Sequence, residues 1–140
     1  MQWVPGKKIY FLSDFHLGAP NEEQSLLREK RIVRFLQNAK KDAAAIFIVG
    51  DIFDFWFEYA TVVPKGFVRL LGCLADLSDA HIELHIFTGN HDLWMKNYFT
   101  TEFNAKVYFE PQVFNFAEKK RSEEHTSELQ SLAYLVCRLL

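Results

Sequence analysis

Apolar residues fall along this chain in two patterns, short unbroken runs and spaced stripes. Lys8–Ser13 (KIYFLS), Ala45–Val49 (AIFIV) and Glu83–Thr88 (ELHIFT) are unbroken and rich in aromatic or β-branched residues. Runs of this length predict strands buried on both faces. Between the first two lies a stripe, with Ile32, Leu36 and Ala39 at helical spacing and Arg, Lys and Glu on the other positions. It predicts a helix over Ser25–Lys40 with Ser25 as its cap, preceded by a loop over Leu17–Gln24 that holds Gly18, Pro20 and Asn21. A second stripe, Phe67, Leu70, Leu71, Leu74 and Leu77, follows Pro64 and predicts a helix over about Gly66–Asp79. Further on, a short helix is expected near Leu93–Tyr98, and short strands at Val107–Phe109 and Gln112–Phe116.

Strand, helix, strand, helix, strand predicts a layered α/β domain with a parallel sheet. In such sheets ligands bind beyond the carboxyl ends of the strands. That edge is where this chain concentrates its polar residues.

Composition narrows the picture. The chain has 140 residues, with 16 Lys+Arg against 18 Asp+Glu, enough for one domain with one core. A net charge of −2 excludes a general nucleic-acid binder, which shows a basic surplus. At 49% apolar and 24% charged the chain is not of a disordered type. No apolar run approaches the ~20 residues that span a bilayer, and Met1–Tyr10 does not read as a signal peptide. Cys73 and Cys137 give no disulfide framework and suit a reducing cytoplasm. No obligate protein partner is evident.

Three polar clusters follow the three strands: Asp14-Phe15-His16, Gly50-Asp51 and Gly89-Asn90-His91-Asp92. Singly each is weak. Asp-x-His is commonly a turn with a surface His, Gly-Asp is a common turn, and Asn90 could simply cap a helix. Jointly, in this order and each at a strand end, they predict a site for two divalent cations. Asp14 and His16 can turn towards one ion, and a carboxylate with an imidazole suits Mn²⁺, Fe²⁺ or Zn²⁺ better than Mg²⁺. Asp51 can bridge two ions and Asn90 offers an amide oxygen to the second. His91 is then free to face substrate, with Asp92 orienting its ring. Such a site hydrolyses phosphate esters and anhydrides. No nucleophilic Ser or Cys motif, Walker loop or dinucleotide Gly motif competes with it. Most of Phe53, Phe55, Trp56, Phe57 and Tyr59 are expected in the core. Trp56 and some of the Phe are the candidates to line an acyl-chain groove beside the site. His81 and His85 lie away from the carboxyl end and are expected to be structural.

The combination Asp-x-His, Gly-Asp, Gly-Asn-His-Asp resembles the calcineurin-like metallophosphoesterase family. Within it, KKIYFLSDFHLGAP, IFIVGDIFDFWFEY and FTGNHDLWMKNYF resemble the branch that hydrolyses UDP-2,3-diacylglucosamine in lipid A synthesis. The resemblance covers about residues 7–118. It implies Asp14, His16 and Asp51 on one metal, Asp51 and Asn90 on the other, His91 at the phosphate, and Mn²⁺ as the ion. It also implies cleavage of the pyrophosphate to the lipid monophosphate and UMP, by a peripheral protein on the cytoplasmic face of the inner membrane. Another metallophosphoesterase, acting on nucleotides, phosphodiesters or phosphoproteins, and a non-enzymatic fragment are the alternative readings.

The family pattern continues with His-Gly-Asp and Gly-His-x-His, which supply three further metal ligands. Here residues 1–120 read as the front half of such a domain, and neither motif follows. His125 has no preceding strand and no Gly-Asp after it. Weak metal binding and little hydrolysis are therefore expected of the chain as written. All 14 Phe lie at or before position 116, and Arg121–Leu140 has another character. RSEEHTSELQS translates a common short-read sequencing adapter, and LVCRLL translates its far part, with Leu132–Tyr134 where a variable index falls. A non-native tail over 121–140 is expected. The competing reading is an amphipathic helix with Leu129, Leu132, Leu135 and Leu139 on one face, and an independent read of the locus separates the two.

Overall fold

The computed structural model describes residues 6–89, 92 and 94–114. The expectations for residues 121–140 and for the last part of Gln112–Phe116 lie outside the described residues. The described chain runs β1 (Lys8–Leu12), α1 (Glu22–Ala39), β2 (Ala43–Val49), α2 (Val68–Asp79), β3 (Glu83–Phe87), α3 (Tyr98–Phe103) and β4 (Lys106–Tyr108). The strands form one parallel sheet in the order β1-β2-β3-β4. Each connection steps in the same direction, so right-handed crossovers put all three helices on one face.

That placement divides the core in two. Ile46, Ile48, Leu84 and Ile86 face the helices and pack with Leu36, Leu70, Leu74, Leu77 and Phe99. Their alternate neighbours, Ala45, Phe47, Val49 and Phe87, form a second cluster with Ile9, Tyr108 and Phe114 on the opposite face. β2 and β3 read as unbroken apolar runs because both faces are filled, whereas β1, expected to be buried on both faces, is the sheet's edge strand and leaves Phe11 39% exposed.

Two buried glutamates tie the helices together. The N-cap of α2 is Phe67, which is left-handed (φ 57°) and offers no capping side chain. Glu29 of α1 takes that role, accepting from Leu70 N at 2.9 Å while 3% exposed. Glu58 does the same for α3, accepting from Tyr98 N at 3.1 Å and from Trp56 Nε1 at 2.9 Å.

Four expectations are corrected. α1 begins at Glu22 rather than Ser25, because Asn21 is the N-cap and accepts from Gln24 N at 2.9 Å. The helix expected near Leu93–Tyr98 starts only at Tyr98. Trp94 is committed elsewhere, bridging to Phe57 and accepting from Glu58 N. The last short strand is Lys106–Tyr108 rather than Val107–Phe109, and 112–114 form none. Phe114 instead sets its ring edge-on against Phe47 and His85.

His85 sits in this second face, 2% exposed, stacked on Phe47 at 4.3 Å. Its Nδ1 pairs with the Tyr108 hydroxyl at 2.9 Å and its Nε2 with Glu83 at 3.1 Å. Burial lowers its pKa from 6.5; Glu83 opposes this and Lys106 adds to it. The folded state therefore favours the neutral ring. Its contribution to stability is present above pH ~6.5 and is lost as pH falls and the unfolded chain binds the proton first. Urea midpoints are expected to drop between about pH 7 and pH 5, and less in His85→Phe, which keeps the stack. Equal slopes for the two proteins would contradict this.

Candidate metal centre

The carboxyl ends of β1, β2 and β3 each release a loop towards the same edge. The β1 loop is laid along the β2 loop by backbone bonds: Asp14 N to Gly50 O at 3.3 Å, His16 N to Asp51 O at 2.9 Å and Leu17 N to Ile52 O at 2.9 Å. Those bonds hold a strained conformation. Asp14, His16 and Asp51 have φ of 58°, 45° and 53°. For residues other than glycine this region costs roughly 1–3 kcal/mol each and persists only where the surroundings enforce it.

The strained turns bring the side chains together. One ligand atom from each of Asp14, His16 and Asp51 lies within 4.8 Å of the others. His16 Nε2 is 3.5 Å from Asp14 Oδ1, while Ser13 Oγ donates to Asp14 Oδ2 at 2.9 Å. Asp51 Oδ1 is buried and accepts no hydrogen bond. A buried carboxylate oxygen without a donor is costly, and a cation is its matching partner. The β3 loop closes over this oxygen. A Cβ on Gly89 would stand 2.6 Å from both Cγ and N of Asp51, so only glycine fits there. An orphaned carboxylate oxygen, an imidazole and a more exposed carboxylate are a donor set that fits a divalent metal ion.

Asp92 fastens the same two loops from below. It is fully buried. Oδ1 accepts from Gly89 N at 2.6 Å, and Oδ2 from Ile52 N at 2.9 Å and Phe53 N at 3.4 Å. Burial pushes its pKa up, and the three N–H groups pull it back. Both Asp92 oxygens accept from backbone amides, and the expectation that Asp92 orients His91 lies outside the described residues. Asn90 and His91 lie outside the described residues.

Trp56 is corrected. It is fully buried in the helix-side core, stacked on Phe53 at 4.3 Å, with Nε1 bonded to buried Glu58. No surface of it remains for an acyl chain. The exposed aromatics of this edge are Phe55, Tyr59 and Trp94, at 60%, 65% and 50%. Phe55 and Phe57 both approach the Trp94 ring.

The sequence reading missed the roles of Gly89 and Ser25, and Arg28 altogether. Gly89 stands in the third cluster, but its role depends on an inter-loop distance. Ser25 and Arg28 are one turn apart on α1, and this spacing was the available signal that both face the β1 loop.

The calcineurin-like phosphoesterase family matches residues 7–134 of this chain. The UDP-2,3-diacylglucosamine hydrolase of Porphyromonas gingivalis is 48% identical over 101 residues, covering 72% of this chain and 38% of that protein. The protein of the same name from Nitrosococcus oceani is 27% identical over 106 residues, covering 76% and 40%. That from Haemophilus influenzae is 28% identical over 117 residues, covering 81% and 46%. The chain thus spans less than half the length of these curated relatives. Among solved structures, the Pseudomonas putida nuclease MPE aligns over 74% of this chain and 48% of its own, with 20% identity and a TM-score of 0.47. The sheet edge that gathers Asp14, His16 and Asp51 and the family match over most of the sequence agree, and the chain belongs to the calcineurin-like phosphoesterases.

Proposed function

We propose that this chain carries the front portion of a metal-dependent hydrolase that cleaves the pyrophosphate of UDP-2,3-diacylglucosamine, releasing the lipid monophosphate and UMP. The observation that carries the reading is the Asp14, His16, Asp51 cluster with its orphaned Asp51 oxygen at the sheet's carboxyl edge. The names of the relatives supply the substrate class. In this reading Asp14, His16 and Asp51 hold one ion, Asp51 and Asn90 a second, and His91 faces the phosphate. The ion is Mn²⁺. Divalent ions there polarise phosphoryl oxygens and lower the pKa of bound water.

Exposed Phe55, Tyr59 and Trp94 on the same edge supply an apolar surface suited to acyl chains. We place the protein on the cytoplasmic face of the inner membrane as a peripheral protein. No described helix is long and apolar enough to cross a membrane.

The test compares two substrates. With Mn²⁺, the chain extended to the length of its relatives is expected to release UMP from UDP-2,3-diacylglucosamine about 100-fold faster than it hydrolyses bis-p-nitrophenyl phosphate, a difference of ~2.7 kcal/mol in barrier. Equal rates on the two overturn the substrate assignment, and turnover that survives chelation overturns the metal.

A further inference from the structure

We propose that Arg28 is a positioning residue for the metal centre, holding His16 in its ligand conformation by clamping the loop that carries it. The inference rests on the metal-centre reading above. His16 stands at φ 45°, followed by Gly18 at φ 108°. The amino side of this loop is held by β2-loop carbonyls, as described. Its far side is held by Asp54 N, which donates to Leu17 O at 2.8 Å, and by α1. Ser25 Oγ accepts from Gly18 N at 2.7 Å. Arg28 Nη1 donates to His16 O at 3.1 Å and to Ala19 O at 3.0 Å, and Nη2 donates to Ala19 O at 3.0 Å.

Arg28 is half-buried, and among the described residues it pairs with no carboxylate. Its charge is satisfied by two carbonyls that lie three residues apart in the turn. A planar fork of donors can reach both at once, which a lysine ammonium on a flexible stem does less well. Without the fork, the His16 carbonyl keeps only the 3.3 Å bond from Ala19 N, so the left-handed turn loosens on its α1 side and the imidazole shifts with it. The consequence falls on the affinity of the Asp14, His16, Asp51 cluster for its ion, because the other two ligands hang from different contacts.

The experiment titrates Mn²⁺ into the whole chain and its variants, micromolar to millimolar, and follows the loss of the free-ion EPR signal. Arg28→Gln is expected to weaken Mn²⁺ binding about tenfold, equivalent to ~1.4 kcal/mol, and Arg28→Lys about threefold. Amide exchange at Gly18 and Ala19 is expected to accelerate in the same order without metal, while circular dichroism melts stay close to the parent. If Arg28→Gln does not fold, the parent and Arg28→Lys are compared by the same two measurements. Unchanged affinity and unchanged exchange in the folded variants overturn the role of Arg28 alone. A parent that takes up no Mn²⁺ overturns the metal-centre reading and this inference with it.

Discussion

Gly89→Ala is expected to weaken Mn²⁺ binding by at least about 100-fold, or ~2.7 kcal/mol, and, in the chain extended to the length of its relatives, to lower kcat/KM by a similar factor. The added methyl cannot be absorbed locally. It would stand 2.6 Å from both Cγ and N of Asp51. The carboxylate could swing aside, but the backbone nitrogen cannot, because Asp51 is fixed by its carbonyl bond to His16 N and by Asp92 on the next amide. Either the β3 loop lifts or Asp51 leaves its left-handed conformation. In both cases the buried Oδ1 loses the place where it faces His16 and Asp14. Overpacking of this kind costs about 1–3 kcal/mol of stability, so the variant should still fold. A Gly89→Ala chain that binds Mn²⁺ as its parent does would show that the loops yield more easily than their bonds imply.

The metal trio was legible from residues because each member sits just past an apolar run, and the end of such a run announces where its strand stops. Asp14 and His16 after β1 and Asp51 after β2 needed no more than that. The sheet was legible for the same reason. The start of α1 was not, since Asn21 and Ser25 are both good caps and a tertiary bond decides between them: Ser25 Oγ is taken by Gly18 N. The position of α3 was hidden because Trp94 is held by Phe57 and Glu58 far back in the chain. Trp56 was misplaced because its aromatic run has no clean period. Phe53, Trp56 and Glu58 turn inward, while Phe55 and Tyr59 turn out. A buried glutamate that accepts the indole N–H settles the matter in the fold, and spacing alone does not reveal it. Contacts between loops, at Gly89 and at Arg28, are distances, and a linear pattern does not encode them.

Asp92→Ala is expected to destabilise the protein by about 3–5 kcal/mol, the scale for breaking a buried hydrogen-bond network. Three backbone N–H groups, of Gly89, Ile52 and Phe53, would lose their acceptor in a site with no exposed surface at Asp92. The loss is tempered because burial already disfavours the charge, as its raised pKa shows. Against a total of roughly 5–15 kcal/mol this is a large fraction. Asp92→Asn is the sharper variant. It keeps shape and one carbonyl oxygen, but its amide must point a donor either at Gly89 N or at the Ile52 and Phe53 nitrogens. One loop therefore stays fastened and the other is released. Because Gly89 and Ile52 flank Asp51 on its two sides, Mn²⁺ affinity is expected to fall about tenfold or more in Asp92→Asn even where it remains folded, at ~1.4 kcal/mol per decade. Urea unfolding and Mn²⁺ titration of the same samples check both parts. Stability within about 0.5 kcal/mol of the parent would place Asp92 among residues of little structural consequence. Lost stability with parent-like Mn²⁺ affinity in the folded Asn variant would make it a fastener of the fold that does not reach the metal centre.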